Sequence, residues 1–122
     1  MTRAILLAGL LFGSAVTMIS DRAKAASYDG PWSVLVITES GACDRGYRYL
    51  VLIAKGHIAY HGEADVQVSG TVAANGAVKV SLGRGTQSAQ GIGKLSGRSG
   101  AGTWRGRGMS GECRGRWEAE PR

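Results

Sequence analysis

Proline and cysteine are scarce in this 122-residue chain, at two each, and phenylalanine occurs once. Two prolines beside 20 glycines exclude a collagen-like repeat, which needs both residues in quantity. Two cysteines exclude a disulfide-dense miniprotein. The length leaves no room for a multidomain enzyme and allows one compact domain. Acidic residues are also few, 9 against 15 Lys+Arg, for a net charge of +6. A hydrophobic share of 43% with 20% charged residues suits a folded domain rather than a disordered tail.

Long apolar runs are missing except at the start. Ala4–Ile19 is uninterrupted by charge, follows Arg3, and is succeeded by the small-x-small triplet Ala23-Lys24-Ala25. This is the pattern of an export signal helix cleaved after Ala25. Its 16 residues fall short of the roughly 20 that a spanning helix needs, and Gly9, Gly13 and Ser14 weaken it further as an anchor. With no cysteine at the cleavage point and no twin arginine, the general secretion route is expected rather than lipidation. The expected organisation is a signal peptide over 1–25 and a single β-domain over 26–122, periplasmic or extracellular, with no membrane span. Removing the signal leaves twelve bases and eight acids.

In an oxidising compartment Cys43 and Cys113 are expected to form one disulfide. Closing a loop of that length stabilises a fold by about 4 kcal/mol in the chain-entropy treatment. No C-x-x-C pattern points to redox or haem chemistry.

The remainder reads as strands. Trp32–Thr38 and Tyr47–Ile53 are β-branched and aromatic, and a short strand is expected from His57 to His61 after a turn at Lys55-Gly56. Asp65–Val72 alternates strictly. Asn75-Gly76 matches a two-residue hairpin turn with positive φ at both positions, and Val78, Val80 and Leu82 repeat the alternation on return. Residues 86–95, 100–108 and 111–119 keep period two, and nothing after the signal sustains a helical period. About eight short strands joined by short turns predict an all-β fold, an antiparallel up-and-down barrel, with a β-sandwich as the alternative.

The last two strands have contrasting faces. Even positions of 100–108 carry Trp104 and glycines, and odd positions of 112–119 carry Cys113, Gly115, Trp117 and Ala119. Alternation therefore puts these inside and Arg105, Arg107, Arg114 and Arg116 outside. The inward glycines admit Trp rings in a narrow barrel. Alternatively, Trp32, Trp104 and Trp117 wall a pocket for a small ligand. Residues 84–122 hold eight bases and three acids, so the outward arginines are a candidate anion-binding surface, with solvated surface as the plainer reading. Arg105 and Arg114 are expected to face each other, with Glu112 and Glu118 placed to neutralise the cluster. Nucleic acid is not expected as a partner, because the stacking aromatics alternate away from the basic face.

Catalytic and metal signals are weak. His57 and His61, four apart on a strand, stand roughly 13 Å apart and do not share a metal unless a turn intervenes. Gly91-Ile-Gly-Lys94 lacks the upstream glycine, the hydroxyl residue and the following helix of a phosphate loop. Glu39, Glu63, Glu112 and Glu118 could supply paired carboxylates, though nothing singles them out. No enzyme, cofactor or metal is expected.

The signal, Gly30-Pro31-Trp32 opening the first strand, Cys43, Asn75-Gly76 and the ending Gly102-x-Trp104…Gly111-x-Cys113-x-Gly115-x-Trp117 resemble a group of small exported β-rich proteins of Gram-negative bacteria. The resemblance implies a fold and a compartment, and no active site. A looser resemblance to calycin-like barrels rests on the Trp-bearing first strand and the meander. The functional expectation is an exported, non-enzymatic β-domain. It binds an anionic polysaccharide, a lipid head group or another envelope protein through the arginines. Two alternatives stand beside it: a carrier of a small hydrophobic ligand in a Trp-lined pocket, and a purely structural envelope role.

Overall fold

A computed structural model describes Gly13, residues 28–60 and residues 62–122. The signal segment, its cleavage point and His61 lie outside the described residues. Eight strands follow in order: β1 (Gly30–Ser40), β2 (Gly46–Ala54), β3 (His57–Tyr60), β4 (Gln67–Val72), β5 (Ala77–Arg84), β6 (Gln87–Ser96), β7 (Ser99–Gly108) and β8 (Gly111–Pro121). Each pairs antiparallel with its neighbour, and β8 pairs with β1, closing a barrel. Closure joins the first and last strands of the meander, and the sandwich alternative falls away.

Two turns trade the geometry expected of them. Lys55-Gly56 is the two-residue turn with positive φ at both positions, 52° and 75°. Asp29 holds it, its carboxylate accepting from the backbone N–H of Lys55 (2.9 Å) and of Gly56 (3.4 Å). At Asn75-Gly76 only the glycine has positive φ. The N–H of Gly76 donates to the Ala73 carbonyl (2.8 Å) and that of Ala73 to the Ala77 carbonyl (2.9 Å). This is the three-residue hairpin loop, a turn followed by a left-handed glycine. The side chain of Asn75 favours it by accepting from the N–H of Ala77 at 3.0 Å.

The barrel interior is filled unevenly. Toward the 55–56, 73–76 and 97–98 turns, Trp32, Ile53, Ile58, Val72, Val78, Leu95, Trp117 and Ala119 form a buried cluster. Each large apolar side chain buried there contributes about 1.5–3 kcal/mol. At this end the β5–β6 ladder runs one bond further, the Leu95 N–H donating to the Gly76 carbonyl at 2.8 Å. We call this the closed end.

Three indole N–H groups lie inside, and each finds a backbone carbonyl: Trp32 to Tyr28 (2.8 Å), Trp104 to Ile37 (3.0 Å) and Trp117 to Ile92 (3.1 Å). Two of them cross a neighbouring strand to do so. Trp104 faces Gly115 in register and reaches past it to β1, and Trp117 faces Gly102 and reaches past it to β6. A side chain at Gly115 would meet the Ile37 carbonyl and Trp104 Nε1, so glycine there opens the route for the indole.

Candidate functional site

At the opposite end the interior is open. A cavity of about 230 Å³ lies there, lined by apolar groups including Val36, Val68, Val80, Leu82, Ala89 and Trp104. The closed-end cluster, with Trp32 and Trp117, forms its floor. The three expected pocket tryptophans thus do line one cavity, while two of them are chiefly core: Trp32 is 3% exposed and Trp117 6%. Glycine packing and a pocket, weighed as alternatives from the sequence, coexist in one barrel.

Tyrosines dominate the mouth. Tyr47, Tyr49 and Val51 share the inward parity of β2 and line the cavity. The Tyr47 and Tyr49 rings are 5.9 Å apart, and Tyr49 meets Tyr60 edge-on at 5.9 Å and 83°. Tyr47 donates its phenolic O–H to the Asp44 carboxylate. That bond raises the Tyr47 pKa, helped by partial burial and by the carboxylate charge. Burial first, and Tyr60 second, raise the pKa of Tyr49, with the Arg84 charge pulling the other way. Both phenols are therefore protonated donors at neutral pH. Asp44, Arg84, Gln87 and Arg107 complete the lining on the solvent side.

The β3–β4 seam weakens toward this mouth. The two strands pair only at His57↔Thr71 and Ile58↔Gly70, whereas β5 and β6 stay paired from Ala77↔Lys94 to Arg84↔Gln87. The expected strand beginning at Asp65 begins instead at Gln67, and Val66 lines the cavity from the connecting loop. The loop is held by the Ala64 N–H, which donates to the Tyr60 hydroxyl at 3.3 Å. At the rim of the mouth Cys43 and Cys113 form the disulfide, tying the β1–β2 loop to β8, the neighbour of β1.

The arginine face forms as alternation requires. Arg105 stands opposite Arg114 on the outer wall. The other two arginines are engaged: Arg107 with Glu112 at 3.2 Å, and Arg116 with Glu39 at 3.3 Å and Glu118 at 3.9 Å. Glu112 and Glu118 thus neutralise part of the cluster as expected. Glu39 is an addition from β1 that only the β1–β8 seam explains. These pairs sit in solvent, with side chains at least half exposed, so each is worth about 0–1 kcal/mol.

The remaining candidates do not converge. His57 is exposed on the outer wall of β3, and among the described residues no three metal-ligating side chains cluster. Gly91-Ile-Gly-Lys94 lies within β6, where Gly91 and Gly93 turn inward against Val80 and Trp117. Glu39 and Glu118 meet at Arg116 on the outer wall, Glu112 bonds Arg107, and Glu63 lies in the β3–β4 loop.

Sequence reasoning passed over Asp44, Tyr47, Tyr49, Tyr60 and Arg84 as a group. The alternation Tyr47, Tyr49, Val51, Ile53 was available to place two of these phenols inside. No protein-family pattern, curated protein or solved structure matches this chain.

Proposed function

We propose that this is an exported, non-enzymatic binder of one small, largely apolar molecule, held in the mouth half of the barrel. The observation that carries this reading is the uneven filling: a packed floor and, above it, an open apolar cavity of about 230 Å³. An apolar cavity of about 150 Å³ is enough to take benzene, so the volume suits one ring with a short substituent. It is smaller than the roughly 300–1,000 Å³ pockets of drug-sized ligands. Export to the periplasm or beyond rests on the Met1–Ala25 signal pattern, and the Cys43–Cys113 bridge supports it. Titration with small aromatic compounds, followed by tryptophan emission, tests the reading. Trp104 lines the cavity, so a saturable emission change is expected. A flat response to a broad ring-compound series overturns it.

A second reading attaches to the outer wall. Arg105 and Arg114 face each other with no ion-pair partner among the described residues. Like charges so placed repel, and an anionic polysaccharide or lipid head group would relieve them. Retention on a heparin column that falls steeply with salt, and is lost in the Arg105→Ser/Arg114→Ser double variant, is the expected result. Retention unchanged by the double substitution overturns this second reading.

A further inference from the structure

The inward row of β5 runs Val78, Val80, Leu82 and then Arg84, three apolar side chains ending in a cation at the mouth. The other charges lining the cavity are already engaged. Arg107 is bonded to Glu112 at 3.2 Å, and the Asp44 carboxylate accepts the Tyr47 phenol. Arg84 has no hydrogen-bond or ion-pair partner among the described residues. Its charge reaches the mouth phenols, since it opposes the upward displacement of both the Tyr47 and Tyr49 pKa values. A guanidinium beside a low-dielectric opening attracts an anion more strongly than one on a flat wall does. The cavity is also lined by Tyr49 and Trp104, with Tyr60 packed edge-on against Tyr49, an aromatic lining that favours a flat ring over a flexible chain.

We propose that the cavity takes a small aryl carboxylate, its ring inside the barrel beside Tyr49 and Trp104 and its carboxylate at the Arg84 guanidinium. The proposal rests on the cavity being a binding site, as argued above, and adds the charge and shape of the occupant. Guanidinium and carboxylate match as paired donors and acceptors. The protonated Tyr49 phenol offers a further donor at the same cavity, the Tyr47 O–H being already given to Asp44. Asp44 at the same mouth disfavours a second negative charge, so a monoanion is selected.

The test uses the full, disulfide-bonded protein and four probes: phenylpropionate, its neutral amide phenylpropanamide, its cationic analogue phenylpropylamine, and octanoate. Affinities are read by tryptophan emission and calorimetry at low salt. Phenylpropionate is expected to bind about tenfold more tightly than the amide, the amount one charge-assisted hydrogen bond in a half-open site supplies. The amine is expected to bind weakest, and octanoate more weakly than phenylpropionate. Arg84→Gln should lower phenylpropionate affinity about tenfold, to that of the amide, and Arg84→Lys should keep part of the preference for carboxylate. Equal binding of carboxylate and amide, or a preference that survives Arg84→Gln in a folded variant, overturns the assignment of Arg84 and leaves the cavity reading standing. Octanoate binding as tightly as phenylpropionate overturns the ring. If none of the four binds saturably, this proposal and the cavity reading fall together.

Discussion

The Cβ that Gly102 lacks would lie 2.5 Å from Nε1 of Trp117, in the gap through which that indole reaches the Ile92 carbonyl. Glycine at this position is therefore part of the core, since its missing side chain is the space the indole occupies. Gly102→Ala should cost about 1–3 kcal/mol, the range for overpacking a filled interior. Gly83→Ala, on β5 with open space around it, should be neutral or stabilise by up to about 1 kcal/mol. Urea unfolding of the two variants checks the contrast, and equal midpoints would contradict the packing assigned to Gly102.

The Cys43–Cys113 bridge spans 70 residues and pins the β1–β2 loop to the last strand at the mouth. A closed loop of that length stabilises by about 4 kcal/mol. For a domain of this size that corresponds to a Tm lower by roughly 15 °C or more when both cysteines are replaced by alanine. Calorimetric melts with and without a reductant give the same comparison on the unmodified protein.

Val68 lines the cavity from β4 and is only partly buried. Val68→Phe, at the margin of the buried cluster, is expected to fill the cavity from β4. Binding of ring compounds should drop at least tenfold while Tm stays within a few degrees, a split measured by parallel titration and melting. Equal affinity in this variant would place the ligand somewhere other than the barrel interior.

On the outer wall, Arg105 and Arg114 occupy a directly opposed pair. Arg105→Thr should raise stability by about 0.2–1 kcal/mol at low salt, the size of a cross-strand pair effect. The gain should shrink as salt screens the repulsion. Denaturant unfolding at two ionic strengths, alone and with heparin present, measures both the repulsion and its relief by a polyanion.

Burial, with Tyr60 next to it, raises the pKa of Tyr49 above its ordinary value. The folded state then holds the phenolic proton more tightly than the unfolded chain does. The resulting stabilisation is complete below the unfolded pKa of about 10 and is lost as pH rises through the higher folded value. Tm should therefore fall more steeply on the alkaline side in the wild type than in Tyr49→Phe. Ultraviolet phenolate titration should show a class of tyrosine ionising late.

Much of this architecture is legible in the residues. Strict alternation in Trp104/Arg105 and Arg116/Trp117 assigns each side chain to a face whatever the strand pairs with, because successive side chains point to opposite sides. The turn at Asn75 was legible as a hairpin but not in type, since Asn-Gly serves more than one loop length and hydrogen bonds from Ala73 decide between them. The mouth was harder to see. Asp44, Tyr49, Tyr60 and Arg84 come from separate loops and strands, and no spacing in the chain brings them together.

Alternation, turn residues and a lone pair of cysteines by themselves determined an all-β meander, a single bridge, inward indoles and outward guanidiniums. These are local properties, set by the two-residue period of a strand and by cysteine pairing. Only the tertiary structure decided that β1 closes on β8, which delivers Glu39 to Arg116 and the Ile37 carbonyl to Trp104. It also decided that the interior is buried at one end and keeps an apolar cavity opening toward the other. The diameter and stagger of a closed sheet are set by all eight strands at once, so the volume they leave is a sum over the barrel and belongs to no segment of it.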